Sequence, residues 1–240
     1  MEKEKKIERV PSGIRGFDEL MEGGFPQGDT VLLTGTPGTA KSTFALQYIV
    51  QGALKYKQKG VYITLEEHDK DRLAARALRF GWDLPALEEA EKILIFTPEL
   101  QPELGEDSLE WLEKSGAGKL IKEFDPQRIA VDSLTVLLAY AKDYGGERRI
   151  VENLVNSFRF NATTMFINER KISDLDKIDF QTEEFVSDGI IYLQFIRHGN
   201  LYRRGINIVK MRGTNHDTGV YPFRIEEGGG IIVHPSEKLF

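Results

Sequence analysis

The run Gly35-Thr36-Pro37-Gly38-Thr39-Ala40-Lys41-Ser42-Thr43 holds residue types able to grip phosphate. It follows the apolar segment Thr30 to Thr34 and precedes Phe44 to Ile49, so it reads as a tight turn between a buried strand and a helix. In that setting backbone N–H groups converge on phosphate oxygens and the helix N-terminus adds partial positive charge. Lys41 is placed to reach the β- and γ-phosphates, and the Ser42 hydroxyl to bind Mg²⁺. The G-x-G-x-x-G spacing of a dinucleotide fold is absent. Ala40 stands where this phosphate loop usually has glycine. One added methyl is the mildest change possible there, so the loop is expected to work, with its turnover rate open.

Acidic residues at strand ends supply the rest of a hydrolytic site. Asp132 closes the apolar run Ile129 to Val131 and precedes Ser133. It reads as a Walker B aspartate that orders Mg²⁺ directly or through water; an aspartate opening a turn is the alternative. Glu66 and Glu67 end the strand-like run 60–65, where a carboxylate can take a proton from water attacking a γ-phosphate. Adjacent residues of an extended chain point opposite ways, so one of the pair faces the site. Glu66 is assigned to it, against the alternative of a solvated strand end. Glu169, beside Arg170, is a further polar candidate. Lys210 and Arg212 are two apart on a strand-like run and share a face, with Met211 opposite. Two such cations suit a phosphate, or a pair of surface ion pairs.

A scaffold must bring these groups together. Strand-like runs at 30–34, 60–65, 92–96, 128–131 and 163–167 alternate with helical patterns at about 41–58, 69–80, 107–123 and 146–160. That alternation predicts an α/β fold with a parallel sheet covered on both faces. The pattern then changes to hairpins. Runs at 190–196 and 201–209 flank His198-Gly199-Asn200, and runs at 221–225 and 231–233 flank Gly228 to Gly230. A mostly parallel core extended by antiparallel C-terminal strands is expected, as one domain over 10–235 with tails at 1–9 and 236–240. Loops are expected at 98–107, 139–149 and 171–184.

Composition narrows the rest. The chain has 240 residues, 40% of them hydrophobic, and a net charge of −6, so its surface as a whole does not attract polyanions. It has no cysteine, which removes disulfides, Cys-ligated zinc and thiol catalysis together. The four histidines are scattered without metal-ligand spacing. The charged first residues do not read as a signal peptide, and no run reaches the ~18 apolar residues of a membrane helix. A cytoplasmic setting without membrane contact is expected.

Four blocks carry a resemblance over about residues 8–233 to the KaiC-type branch of the RecA-superfamily ATPases. They are Val10 to Leu20 with Gly23 to Gly28; Thr64-Leu65-Glu66-Glu67 with Phe80-Gly81-Trp82; Glu183 to Asp188; and Lys210 to Thr214 with His216 and Tyr221-Pro222-Phe223. The resemblance implies a RecA-like P-loop fold, ATP/ADP and Mg²⁺ as ligands, and a homohexameric ring with nucleotide at each subunit interface. It implies that Glu66, with Glu67 beside it, is the catalytic glutamate. It also implies that Lys210 and Arg212 reach the neighbour's γ-phosphate, with Thr214 and His216 near the same nucleotide, in the manner of an arginine finger. Clock members of this branch have two such domains in tandem, whereas one is read here. Their adjacent Ser-Thr phosphoacceptors are matched here by Glu184-Phe185, so a circadian phosphorylation cycle is not expected.

Two other functions compete with the ATPase. One is a nucleotide-gated switch that hydrolyses slowly and grips a protein partner. The other is a RecA-like DNA-binding protein. The loop 171–184 argues against the second, with two lysines against five carboxylates, a net of −3. The segment 139–149 is only mildly basic. Arg197-His198 with Arg203-Arg204 is the best basic patch, and a solvated hairpin is the favoured reading of it.

Overall fold

A computed structural model describes residues 7–98, 116–158, 162–170 and 186–239. Among them nine strands form one sheet in the order β11-β10-β9-β8-β3-β7-β6-β4-β5. Its strands are β3 (Thr30–Gly35), β4 (Gly60–Thr64), β5 (Ile93–Phe96), β6 (Arg128–Asp132), β7 (Thr163–Glu169), β8 (Gly189–His198), β9 (Leu201–Met211), β10 (Tyr221–Glu226) and β11 (Gly230–Val233). β1 (Arg9–Val10) and β2 (Phe25–Pro26) form a separate small ribbon. The strands from β8 through β5 pair parallel, and β8 to β11 pair antiparallel in series. The expected mixed α/β architecture is therefore the observed one. β8 plays two parts, closing the parallel set and opening the antiparallel one.

Alternation within the strands divides the core into two layers. Val31, Leu33, Tyr62, Ala130, Met165 and Ile167 pack on one side with helix α1 (Lys41–Tyr56). Leu32, Val61, Ile63, Ile129, Val131 and Phe166 pack on the other. Buried on both faces, these strands read as continuous apolar runs. α1 is buried on most sides because the C-terminal strands close over it, and the Gln47 amide pairs with the backbone of Ile231 in both directions. That satisfies polar groups on β11.

The second layer includes α4 (Ala117–Phe124), the short α5 (Leu134–Leu138) and α6 (Tyr144–Phe158). α2 (Lys70–Leu78) and α3 (Leu84–Glu89) follow β4. The sequence reading overlooked α3, although Asp83 caps it by accepting from the Ala86 N–H and Pro85 lies in its first turn. The expected loop at 139–149 is corrected. Asp143 accepts from the Gly146 N–H, so a helix begins at Tyr144 and carries Arg148, which pairs with Glu152. Two adjacent glycines hide that helix start. Arg9 lies in β1, and the Leu239 N–H donates to the Val220 carbonyl. The expected loop at 171–184, nearly all of that at 98–107, the first part of the 107–123 helix and Glu184-Phe185 lie outside the described residues.

Candidate nucleotide site

The parallel register sets the site at one edge of the sheet. Gly35 is in register with Glu169 and Thr64 with Asp132, and the Leu65 N–H donates to the Asp132 carbonyl. The carboxyl ends of β3, β7, β6 and β4 thus come together, where open α/β sheets bind ligands. Between β3 and α1 the loop turns sharply. A Cβ on Gly35 would lie 2.2 Å from the Leu193 carbonyl oxygen, and Gly38 has φ +80°, so glycine is needed at both. The Thr39 hydroxyl donates to the Thr36 carbonyl at 2.8 Å, and the Lys41 ammonium donates to the same oxygen at 3.1 Å. Glu169 Oε1 lies 3.5 Å from that ammonium. Lys41 is buried, so its charge is held at the floor of the loop.

Ala40 caps α1 with φ 76°. Left-handed backbone costs an L-residue roughly 1–2 kcal/mol, and glycine gives back about 0.5–1 kcal/mol in unfolded-chain entropy. Ala40→Gly is therefore expected to stabilise the protein by about 0.5–1 kcal/mol. By calorimetry the melting temperature should rise by about 2 °C; a fall would show that the methyl packs better than the strain costs.

Lys41, Ser42, Glu66, Asp132, Ile167 and Ile225 line a cleft of about 330 Å³ with the phosphate loop. Asp132 is buried and accepts a 2.6 Å hydrogen bond from the Tyr62 hydroxyl. Burial pushes its carboxyl above the usual carboxylate range, opposed by hydrogen bonds from Tyr62 and Ser42 and by the Lys41 charge. A desolvated carboxylate beside a hydroxyl is a hard-oxygen pair suited to Mg²⁺. No group of three or more His, Cys, Asp or Glu side chains able to hold a metal occurs among the described residues. An ion here would be shared between the protein and a nucleotide's phosphates. Ser42 and Asp132 would hold it.

The two glutamates follow the end of β4 in a bend, with the Glu67 N–H donating to the Thr64 hydroxyl, and they separate there. Glu66 accepts from the Ser133 hydroxyl and lines the cleft. Glu67 turns away and pairs with Arg76 of α2 at 2.7 Å. Leu65, just before them, is anchored in the core.

Lys210, Arg212, Thr214 and His216 lie elsewhere. Gly189 is in register with both Met211 and Val31, and Ile190 with both Lys210 and Leu32, so Lys210 lies within β9 toward the end of the sheet where β3 begins, and Arg212, Thr214 and His216 follow that end. The six residues of β3 span about 17 Å, which separates Arg212, Thr214 and His216 from their own phosphate loop. Arg212 pairs with Asp188 at 2.9 Å, and Asp188 accepts from the Thr30 N–H. The Lys210 ammonium donates to the Ser187 carbonyl at 2.6 Å. The Thr214 hydroxyl accepts from Arg9, and His216 Nδ1 lies 3.3 Å from the Asp217 carbonyl.

The basic patch of the β8–β9 hairpin is not a flat surface. Arg203 and Arg204 join Arg224 and His234 around a cleft of about 380 Å³ where β9 and β10 diverge. Arg204 lies over the Phe195 ring at 5.5 Å. Sequence reasoning missed Tyr62 and Asp188. A tyrosine inside an otherwise aliphatic strand was the available signal, since its buried hydroxyl needs a partner.

No helix among the described residues is long and apolar enough to cross a membrane. The family model described as "ATPase: KaiC" matches residues 10–238. The chain is 33% identical over 233 residues to the circadian clock oscillator protein KaiC of Prochlorococcus marinus, covering 95% of this chain and 45% of that protein. It is 34% identical over 227 residues to the protein of that name from Parathermosynechococcus lividus, covering 93% and 42%. The chain thus spans about half the length of these curated relatives. A solved KaiC-like protein of Pyrococcus horikoshii OT3 superposes with a TM-score of 0.81 at 35% identity, covering 96% of this chain and all of that one. A phosphate loop, a buried aspartate on the next strand but one and a matching whole-domain fold lead to one assignment: the chain belongs to the KaiC family of RecA-like P-loop ATPases.

Proposed function

We propose that the chain is a Mg²⁺-dependent ATPase that assembles as a homohexameric ring in the cytoplasm, with each active site shared between neighbours. The observation carrying this reading is the split of the machinery. Lys41, Ser42, Asp132 and Glu66 converge on one cleft, while Lys210 lies toward the opposite end of the sheet and Arg212 follows that end. Cations so far from their own phosphate loop can serve the nucleotide of an adjacent copy in a head-to-tail ring.

The geometry and the family likeness support the following roles. The loop N–H groups and Lys41 bind and orient the β- and γ-phosphates of ATP. Bound Mg²⁺ would offset the charge developing on those phosphates. Glu66, steadied by Ser133 at one oxygen, has its other oxygen to accept the proton of the attacking water. Arg212 and Lys210 of an adjacent subunit stabilise charge on the transferred phosphoryl group. Glu67 supports the strand end through Arg76, and Thr214 and His216 line the far side of the shared site.

Size-exclusion chromatography with light scattering, with and without Mg-ATP, tests this when phosphate release is measured on each peak. Release confined to a hexamer is expected. A monomer that hydrolyses equally well contradicts the shared site, and a hexamer that binds ATP without turnover favours the nucleotide-gated switch with a protein partner. Arg212→Ala is expected to keep the hexamer and slow hydrolysis by about 10³-fold. Unchanged hydrolysis would remove its cross-subunit role. A labelled single-stranded DNA titrated at low salt with ATP tests the DNA-binding alternative, and no binding at micromolar protein is expected.

A further inference from the structure

We propose that Tyr62 is a positioning residue for the metal site: its hydroxyl holds Asp132 in the orientation that receives Mg²⁺ with nucleotide. The inference rests on the ATPase reading above and assigns a further residue to that site. Tyr62 pairs with Ala130 across the β4–β6 ladder, which makes Asp132 its diagonal neighbour on the α1 face of the sheet. The Tyr62 side chain is fully buried, and its hydroxyl donates to Asp132 Oδ2 at 2.6 Å. Asp132 is itself buried and therefore cannot rely on water to fix its carboxylate. One oxygen is held by Tyr62, and Asp132 lines the cleft together with Ser42. The Ser42 hydroxyl interacts with both Tyr62 and Asp132, so the three form one cluster. Partners that orient a metal-binding carboxylate typically contribute 10–100-fold to metal affinity.

Tyr62→Phe removes one hydroxyl and keeps the ring. ADP binding is measured by calorimetry at stepped Mg²⁺ concentrations and in excess EDTA. The Mg²⁺ concentration giving half the full enhancement should rise by about tenfold or more, with affinity in EDTA unchanged. In the Asp132→Asn background, the same substitution should add nothing further to the Mg²⁺ dependence. An unaltered Mg²⁺ midpoint overturns the proposal. So does an equal loss of ADP affinity with and without Mg²⁺, which marks a merely structural role. If Tyr62→Phe does not fold, wild-type protein carrying 3-fluorotyrosine keeps the question open to test by ¹⁹F NMR. One solvent-protected signal should move when Mg²⁺ is added to the ADP complex, and no such movement overturns the role. Wild-type protein whose ADP binding ignores Mg²⁺ would instead overturn the metal reading itself, and this role with it.

Discussion

Glu66→Gln is expected to keep Mg-ATP bound while phosphate release falls by about 10²–10⁴-fold, the range removed with a general base. The substitution preserves shape and can still accept from Ser133, which donates to Glu66 in the native protein. It removes only the ability to take a proton from water. Its neighbour is the control. Glu67 is paired with Arg76 and turned from the cleft, so Glu67→Gln loses an ion pair and should lower turnover far less. Radiolabelled ATP retention and single-turnover phosphate release distinguish the two. Comparable losses in both variants would contradict the division of roles between these adjacent residues.

Lys41→Ala is expected to lose nucleotide binding itself. Lys41 is buried against the Thr36 carbonyl and near Glu169, so its charge is already desolvated where phosphate must lie. Truncating one member of a buried charge pair costs about 2–5 kcal/mol, which weakens ATP binding by roughly 1.5 to 3.5 orders of magnitude. Equilibrium binding of a fluorescent ATP analogue, with ADP as competitor, reads this directly. The fold should survive, because the partner left behind, Glu169, is 41% exposed and regains solvent. Wild-type affinity in Lys41→Ala would mean that the loop does not hold the phosphates.

The parts of the molecule legible in the sequence were those governed by local chemistry. The strand–loop–helix around Lys41 announces itself because glycine, lysine and hydroxyl residues are needed at fixed offsets there. Buried parallel strands such as Arg128–Asp132 show as unbroken apolar runs ending in a polar residue. Glu66 and Glu67 lie just past the end of β4, where the Glu67 N–H turns back to the Thr64 hydroxyl, so a bend that the sequence does not record, and not strand alternation, sets them apart. What escaped depended on contacts remote in sequence. Arg212 finds Asp188 across 24 residues and Tyr62 finds Asp132 across 70, and no local pattern records either pairing. The helix expected at about 146–160 begins two residues earlier, at Tyr144: two glycines masked its first turn, whereas Asp143 supplied the cap. The distance between Arg212 and its own phosphate loop also required the sheet register, since spacing alone places two cations on a face without saying which end of the sheet they serve.

The central claim is that each active site draws on two subunits, and complementation tests it most directly. Glu66→Gln and Arg212→Ala chains, each inactive as a homomer, are co-expressed so that they mix within rings. A site that pairs the intact glutamate of one chain with the intact arginine of the other should work, which restores about a quarter of wild-type phosphate release at equal mixing. Mixed rings that remain as inactive as either parent would contradict the shared site and confine catalysis to a single subunit.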